Sequence, residues 1–344
     1  MTRSWMESEI RSQPALLARL AEGAAPLARE LARAISRRHP RFVVLTARGS
    51  SDHAAIYGKY LLETDAGLVA SLAAPSVYSI YGGRPDVRDA LVIGISQSGQ
   101  SPDIVATVAG ARAGGALTLA ITNDESSPLA QASDLRLPPQ VGPERSVAAT
   151  KTFTAELLAV WLLVQAMAGK DLDSAANLGS DAEASLASAQ RTLSGSSLGD
   201  PASPIVVVGR GYGYPVALEL ALKLREVGRR HAHGFSAADL LHGPIAAVQA
   251  GTTAVVVGAA GPTSSSLRDG LAAIHAHGAR SLVISNDPEL AWEASLAVPV
   301  RAAGESLSGI SLALAGQWLA LQDALTRGLD PDRPPGLAKI TRTL

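Results

Sequence analysis

The chain has 344 residues, 47% of them hydrophobic and 18% charged, with a formal net charge of -1 and no cysteine. This length suits two domains, and a near-neutral chain with no basic stripe argues against nucleic acid as the main partner. The lack of cysteine rules out disulfides, thiolate metal sites and a cysteine nucleophile, as suits a cytoplasmic protein.

The opening stretch, MTRSWMESEI, lacks the apolar core of a signal peptide. The most apolar helical stretch, Leu157 to Met167, is short and interrupted by Gln165, so no membrane contact is expected.

Residues 5 to 37 carry helical periodicity in Ile10, Leu16, Leu17, Leu20, Leu27 and Leu31, with Pro14 and Pro26 expected to break it into pieces. Phe42 to Leu45 reads as a buried strand that runs into Gly49-Ser50-Ser51 and a helix reaching Glu63. A second strand, Leu91 to Ile95, ends in Ser96-Gln97-Ser98-Gly99-Gln100-Ser101, and Pro102 stands where a helix can begin. Leu117 to Thr122 and Asp134 to Leu137 are further strands, and Thr152 to Ala168 is an apolar helix able to cover a sheet face. Strands alternating with helices imply parallel βα units.

The second half repeats the first. Ile205 to Gly211 matches Val43 to Gly49, Val283 to Asp287 matches Ala120 to Asp124, and Ser295 to Pro299 follows as Asp134 to Pro138 does. The offsets are 162, 163 and 161, which points to duplication. The expected organisation is a helical segment over 1–37, one doubly wound domain over 38–173, and a linker over 174–203. A second domain over 204–329 and a C-terminal tail over 330–344 complete it. Both domains are α/β with a parallel sheet between helices, and ligands are expected at the carboxyl ends of the strands.

The Ser96–Ser101 loop places hydroxyls, backbone N–H groups and a glycine between a strand end and a helix N-terminus, a geometry that suits an anion. It holds no lysine and is no Walker sequence, so a sugar phosphate fits better than a nucleoside triphosphate. Gly49-Ser50-Ser51 points to the same crevice. Gly209-Arg210-Gly211-Tyr212-Gly213-Tyr214 is only superficially a dinucleotide loop, because Tyr214 replaces the last glycine. His231, His233 and His242 lack metal-ligand spacing. Neither a metal nor a cofactor is expected.

Glu219, Lys223 and Glu226 stand at i, i+4 and i+7 on one helical stripe, and His242 follows beside Gly243-Pro244. A carboxylate, an amine and an imidazole in one segment suit proton transfer around a carbonyl. The same spacing equally describes a solvated helix face and a loop histidine.

Six ordered motifs resemble the sugar isomerase (SIS) family, in particular the isomerase half of glucosamine-6-phosphate synthase and the stand-alone deaminases and phosphosugar isomerases built like it. They are Met6 to Pro14, the Ser96–Ser101 loop, Val147-Ala148-Ala149-Thr150-Lys151, Ala221 to Glu226, Leu241 to Pro244, and Leu337-Ala338-Lys339. The resemblance implies that Ser50, Ser51, Ser96, Gln97, Ser98 and Ser101 touch the sugar phosphate, with Val147, Ala148 and Ala338 also lining the substrate. It implies Glu226 as the base between C1 and C2, with Lys223 beside it. His242 would open the ring, supplied by the partner of a homodimer with shared active sites, and Lys339 would form an imine. A lysine in a partly dry site suits that attack.

Two departures bear on the substrate. Ala149 stands where the synthase has a serine, and His233 where an acidic residue is common. No glutaminase stretch is expected with this chain, which has no cysteine to attack glutamine, so deamination of glucosamine 6-phosphate is the expected reaction. Simple aldose–ketose isomerisation, deglycation of fructosamine 6-phosphates and a non-catalytic sugar-phosphate sensor are the alternatives.

Overall fold

The structure is a computed structural model that describes residues 3–339. Contacts divide it into two compact units. One, here the N-sheet unit, takes Leu16–Glu144, Lys151–Ala176 and the chain from Ala338; the other, the C-sheet unit, takes the chain up to Ala15, Arg145–Thr150 and Asn177–Leu337. The first helix, α1 (Trp5–Ser36), begins in the C-sheet unit and ends in the N-sheet unit.

Helix α1 runs unbroken through Pro14 and Pro26, where the sequence predicts breaks. A proline inside a helix costs about 3 kcal/mol through its missing N–H and its clash with the preceding turn. Here Met6, Ile10, Leu17 and Ala28 are fully buried and Ile35 nearly so. Burying a large apolar side chain contributes about 1.5–3 kcal/mol, so packing along the whole length offsets both prolines.

In the N-sheet unit the chain continues through β1 (Phe42–Thr46), α2 (Ser50–Thr64), β2 (Val69–Leu72), α3 (Ser76–Ser79), β3 (Ala90–Ile95) and α4 (Pro102–Ala113). It then forms β4 (Leu117–Ile121), α5 (Pro128–Ala132), β5 (Leu135–Arg136) and α6 (Lys151–Met167). The strands pair in parallel in the order β2-β1-β3-β4-β5. Every residue of β3 and β4 is buried, which is why both read as continuous apolar runs: helices cover both faces of a parallel sheet. Val92, Ile104, Val108 and Leu129 form one such packed layer.

The C-sheet unit follows with α7 (Leu178–Thr192), β6 (Ile205–Gly209), α8 (Gly213–Glu226), β7 (Ala232–Ser236), α9 (Ala237–Leu241), β8 (Thr253–Gly258) and α10 (Ser264–Ala276). The series ends with β9 (Arg280–Ser285), α11 (Pro288–Trp292), β10 (Leu296–Pro299) and α12 (Glu305–Thr326). Its strands are also parallel, in the order β10-β9-β8-β6-β7. Read from the other edge, this is the same order as the first sheet. Registers agree as well. Phe42 pairs with Val69 and Ala90, and Ile205, Ala232 and Thr253, each 163 positions later, pair in the same way. Two doubly wound α/β domains in tandem are therefore the architecture.

The strands β2, β7 and β8 are additions to the sequence reading. No helix among the described residues is long and apolar enough to cross a membrane.

Candidate functional site

In a sheet ordered 2-1-3-4-5, the connections from β1 and β3 depart to opposite faces, and the crevice between their carboxyl ends is where ligands bind. Both hydroxyl-bearing stretches lie there. Gly49, with φ 56°, lets β1 turn abruptly into α2, whose first two residues are Ser50 and Ser51. Ser50 is half-buried. Ser51 is buried and donates to Glu156 Oε1 at 2.9 Å, so this hydroxyl is turned to a carboxylate on α6.

The loop after β3 is held by its own side chains. Ser96 Oγ accepts from Gly99 N at 3.2 Å, and Ser98 Oγ accepts from Gln100 N at 3.3 Å. Each hydroxyl keeps its own hydrogen to donate. Gln97 contributes its carbonyl, which accepts from Asn123 N at 3.3 Å. Gly99 has φ 61°, and a Cβ there would lie 2.1 Å from Ser127 Oγ, so both conformation and space require glycine. Ser101 flanks α4 with no capping hydrogen bond from its side chain, and Pro102 opens the helix.

Two charged groups on the walls of this crevice are absent from the sequence reading of the site. Arg48, at the end of β1, donates through Nε to Asp103 Oδ2 at 2.8 Å, across to the first turn of α4. Asp103 is fully buried, while 51% of the Arg48 side chain is exposed. Nearby, burial pushes the Asp52 carboxyl above its ordinary pKa, against the opposing pull of His53 and Arg48.

Lys339 belongs to the same unit. Its Nζ lies 2.8 Å from Glu144 Oε2, and Glu144 Oε1 accepts the amide of Thr152 at 3.1 Å in the first turn of α6. The Glu144 side chain is fully buried and that of Lys339 is 25% exposed. Lys339 therefore has a carboxylate partner rather than only a dry setting. Ala338 is exposed. The rest of the expected tail, residues 340–344, lies outside the described residues.

In the C-sheet unit the stripe on α8 is no solvated face. Lys223 is 1% exposed, its Nζ lies 3.4 Å from the buried Glu219 Oε1, and it also donates to Glu226 Oε2. Glu226, at the end of the helix, keeps 22% of its side chain exposed. Val147 N donates to Asp332 O at 3.3 Å, and Ala148 O accepts from Ser146 Oγ at 2.9 Å. Ser146 is itself fixed by the Glu9 carboxylate, which also accepts from the Arg145 amide. Ala149 is half-buried and His233 exposed.

His242 terminates α9 as an exposed residue whose backbone N–H donates to Asp239 O at 3.1 Å. Among the described residues no hydrogen bond links its ring to Glu226. The structure thus gathers Ser50, Ser51 and the Ser96–Ser101 loop at one switch point, Lys339 with Glu144, and Lys223 with Glu226, and leaves the His242 ring without such a bond to Glu226.

Tandem doubly wound domains of this order define a class of α/β protein. The chain belongs to the SIS domain family, whose model matches it twice, over residues 38–166 and 201–322. It is 35% identical over 311 residues to a glutamine–fructose-6-phosphate aminotransferase (isomerizing) from Halobacterium salinarum, covering 86% of this chain and 51% of that protein. A protein of the same name from Acidithiobacillus ferridurans is 33% identical over 98% of this chain and 58% of its own length. The chain therefore spans about half the length of the curated relatives it matches.

Among solved structures, one from Silicibacter pomeroyi DSS-3, named provisionally as a phosphosugar isomerase, superposes with a TM-score of 0.85 at 33% identity. The superposition covers 96% of this chain and 100% of that one. A glucosamine-6-phosphate deaminase from Thermotoga maritima shares the fold at a TM-score of 0.81 and 23% identity, over 99% of this chain and 100% of that one.

Proposed function

We propose that this protein is a phosphosugar isomerase of the deaminating kind, converting glucosamine 6-phosphate and water to fructose 6-phosphate and ammonia. The observation that carries this reading is the state of Glu226. Its carboxylate is partly exposed yet held by a buried ammonium, Lys223. A proton carrier needs that combination of access and fixed direction, and a placed general base typically contributes about 10²–10⁴-fold.

In this reading the hydroxyl loop from Ser96 to Ser101, with Ser50, holds the phosphate and positions the sugar. His242, from a partner subunit, assists ring opening to the aldehyde. Glu226 takes the proton from C2 and returns it to C1, leaving an imine at C2. The Lys339 amine displaces ammonia from that imine, and water then hydrolyses the lysine imine to release the ketose. Val147, Ala148 and Ala338 line the substrate. The motifs that resemble the SIS family imply the same roles, and the relatives named above include both an aminotransferase and a deaminase.

A panel of amino-sugar phosphates, ketose phosphates and fructosamine phosphates tests the reading, with ammonia, amino acid and ketose measured separately. Ammonia with fructose 6-phosphate supports it. Amino acid release would assign a deglycase instead, interconversion without ammonia a simple isomerase, and binding without turnover a sensor.

A further inference from the structure

The loop that receives the phosphate contains no cation. Ser96 to Ser101 offers hydroxyls and N–H groups, whereas a phosphate monoester carries about -1.5 to -2 charges near neutral pH. A buried carboxylate, Asp103, moreover follows two residues after that loop, and one of its oxygens accepts the Ile104 amide at 2.9 Å in the first turn of α4. A carboxylate in that place uses part of the helix's N-terminal field and repels an arriving dianion.

Arg48 answers both problems. Its side chain spans the switch point from the end of β1 to Asp103, and only Nε is engaged there. Among the described residues the two Nη groups, with four N–H donors between them, make no hydrogen bond, and half of the side chain is exposed. A guanidinium anchored through one edge presents its other edge as a planar fork, the geometry that matches phosphate oxygens.

We infer that Arg48 is a ligand of the substrate phosphate and that Asp103 is its positioning residue, an inference that rests on the sugar-phosphate reading above. Asp103 fixes the guanidinium plane, and Arg48 in return cancels the buried charge beside the anion. It supplies the positive charge that the hydroxyl loop lacks.

Glucose 6-phosphate, which has no amine to lose, is the probe, with binding measured by calorimetry. Arg48→Lys keeps a cation on Asp103, so the fold is preserved, but removes the fork. Its Kd should rise by about tenfold. Arg48→Met should raise it by about 10- to 100-fold, the size of a charged hydrogen bond, with kcat on the turned-over substrate little changed. The double variant Arg48→Met with Asp103→Asn should stay weak.

Binding by Arg48→Lys within twofold of wild type would overturn the assignment. So would full recovery in the double variant, because Arg48 would then only neutralise Asp103. A wild-type protein that binds no sugar phosphate would instead remove the functional reading itself, and this inference with it.

Discussion

Lys339 Nζ and Glu144 Oε2 lie 2.8 Å apart, and the second Glu144 oxygen is tied to the Thr152 amide at the start of α6. A residue five positions from the end of a chain ordinarily frays. This one is anchored by a buried carboxylate in the loop that precedes α6. If Lys339 forms the proposed imine, its nitrogen must first give up a proton, and Glu144 is a carboxylate within hydrogen-bond distance of it. Borohydride added with glucosamine 6-phosphate should leave a reduced sugar adduct on the C-terminal peptide, seen by mass spectrometry. Lys339→Ala should abolish it, and Glu144→Gln should slow it by about 10²-fold. An adduct of unchanged yield in Lys339→Ala would place the imine elsewhere.

The charged triad on α8 separates chemistry from stability. Glu226→Gln leaves Lys223 paired with Glu219, so the protein should fold, bind sugar phosphate and lose most turnover, by about 10²–10⁴-fold. Lys223→Met leaves the Glu219 carboxylate, 1% exposed, without its ammonium. Breaking a buried pair from one side costs about 3–5 kcal/mol, so urea unfolding should shift markedly in this variant. Equal stability of the two variants would contradict the triad as described.

His242 is exposed at the end of α9 and, among the described residues, has no hydrogen bond to Glu226. If it serves the site of a partner subunit, mixing Glu226→Gln chains with His242→Ala chains should restore activity in hybrid dimers. Random exchange would place both wild-type groups at one of two sites in half of the dimers, giving about one quarter of wild-type turnover when both parents are inactive. No recovery after subunit exchange has been demonstrated by mass spectrometry would show that each site is built within one chain.

Asp134 provides an acid-sensitive contact of the N-sheet unit. Burial raises its pKa, but the Thr118 hydroxyl and amide together with Arg112 outweigh burial, and the net value is depressed. A depressed folded-state pKa means stability that is fully present above the unfolded value of about 3.9 and is lost as pH falls through the folded one. Asp134→Ala should destabilise the protein by about 1–3 kcal/mol near pH 7. That difference from wild type should shrink below about pH 4. Denaturation curves at both pH values check it, and a difference that stayed constant would show that the charge is irrelevant.

Much of this protein is legible one segment at a time. The runs Leu91 to Ile95, Leu117 to Thr122 and Ile205 to Val208 announce buried parallel strands, because a strand covered on both faces has no polar side to alternate. The anion loop is equally local: hydroxyls and one glycine between a strand end and a helix-opening proline. Strand β8 carries the same apolar signal in Ala254 to Val257. The edge strands β2 and β7 do not announce themselves. Val69–Leu72 buries one residue in four, and Ala232–Ser236 includes an exposed histidine and a glycine, because an edge strand has little to bury.

What needed the tertiary structure is the environment of each charge. The spacing of Glu219, Lys223 and Glu226 places them on one stripe, but only the packing of the C-sheet unit makes Lys223 buried and leaves Glu226 accessible. Arg48 meets Asp103 across 55 residues and Lys339 meets Glu144 across 195, so no local pattern contains either pair. The continuity of α1 through two prolines is likewise decided by what packs along it. The reason is common to all these cases. Backbone preference is set by a residue and its few neighbours in the chain, whereas desolvation and ion pairing depend on which distant segments exclude water from a side chain.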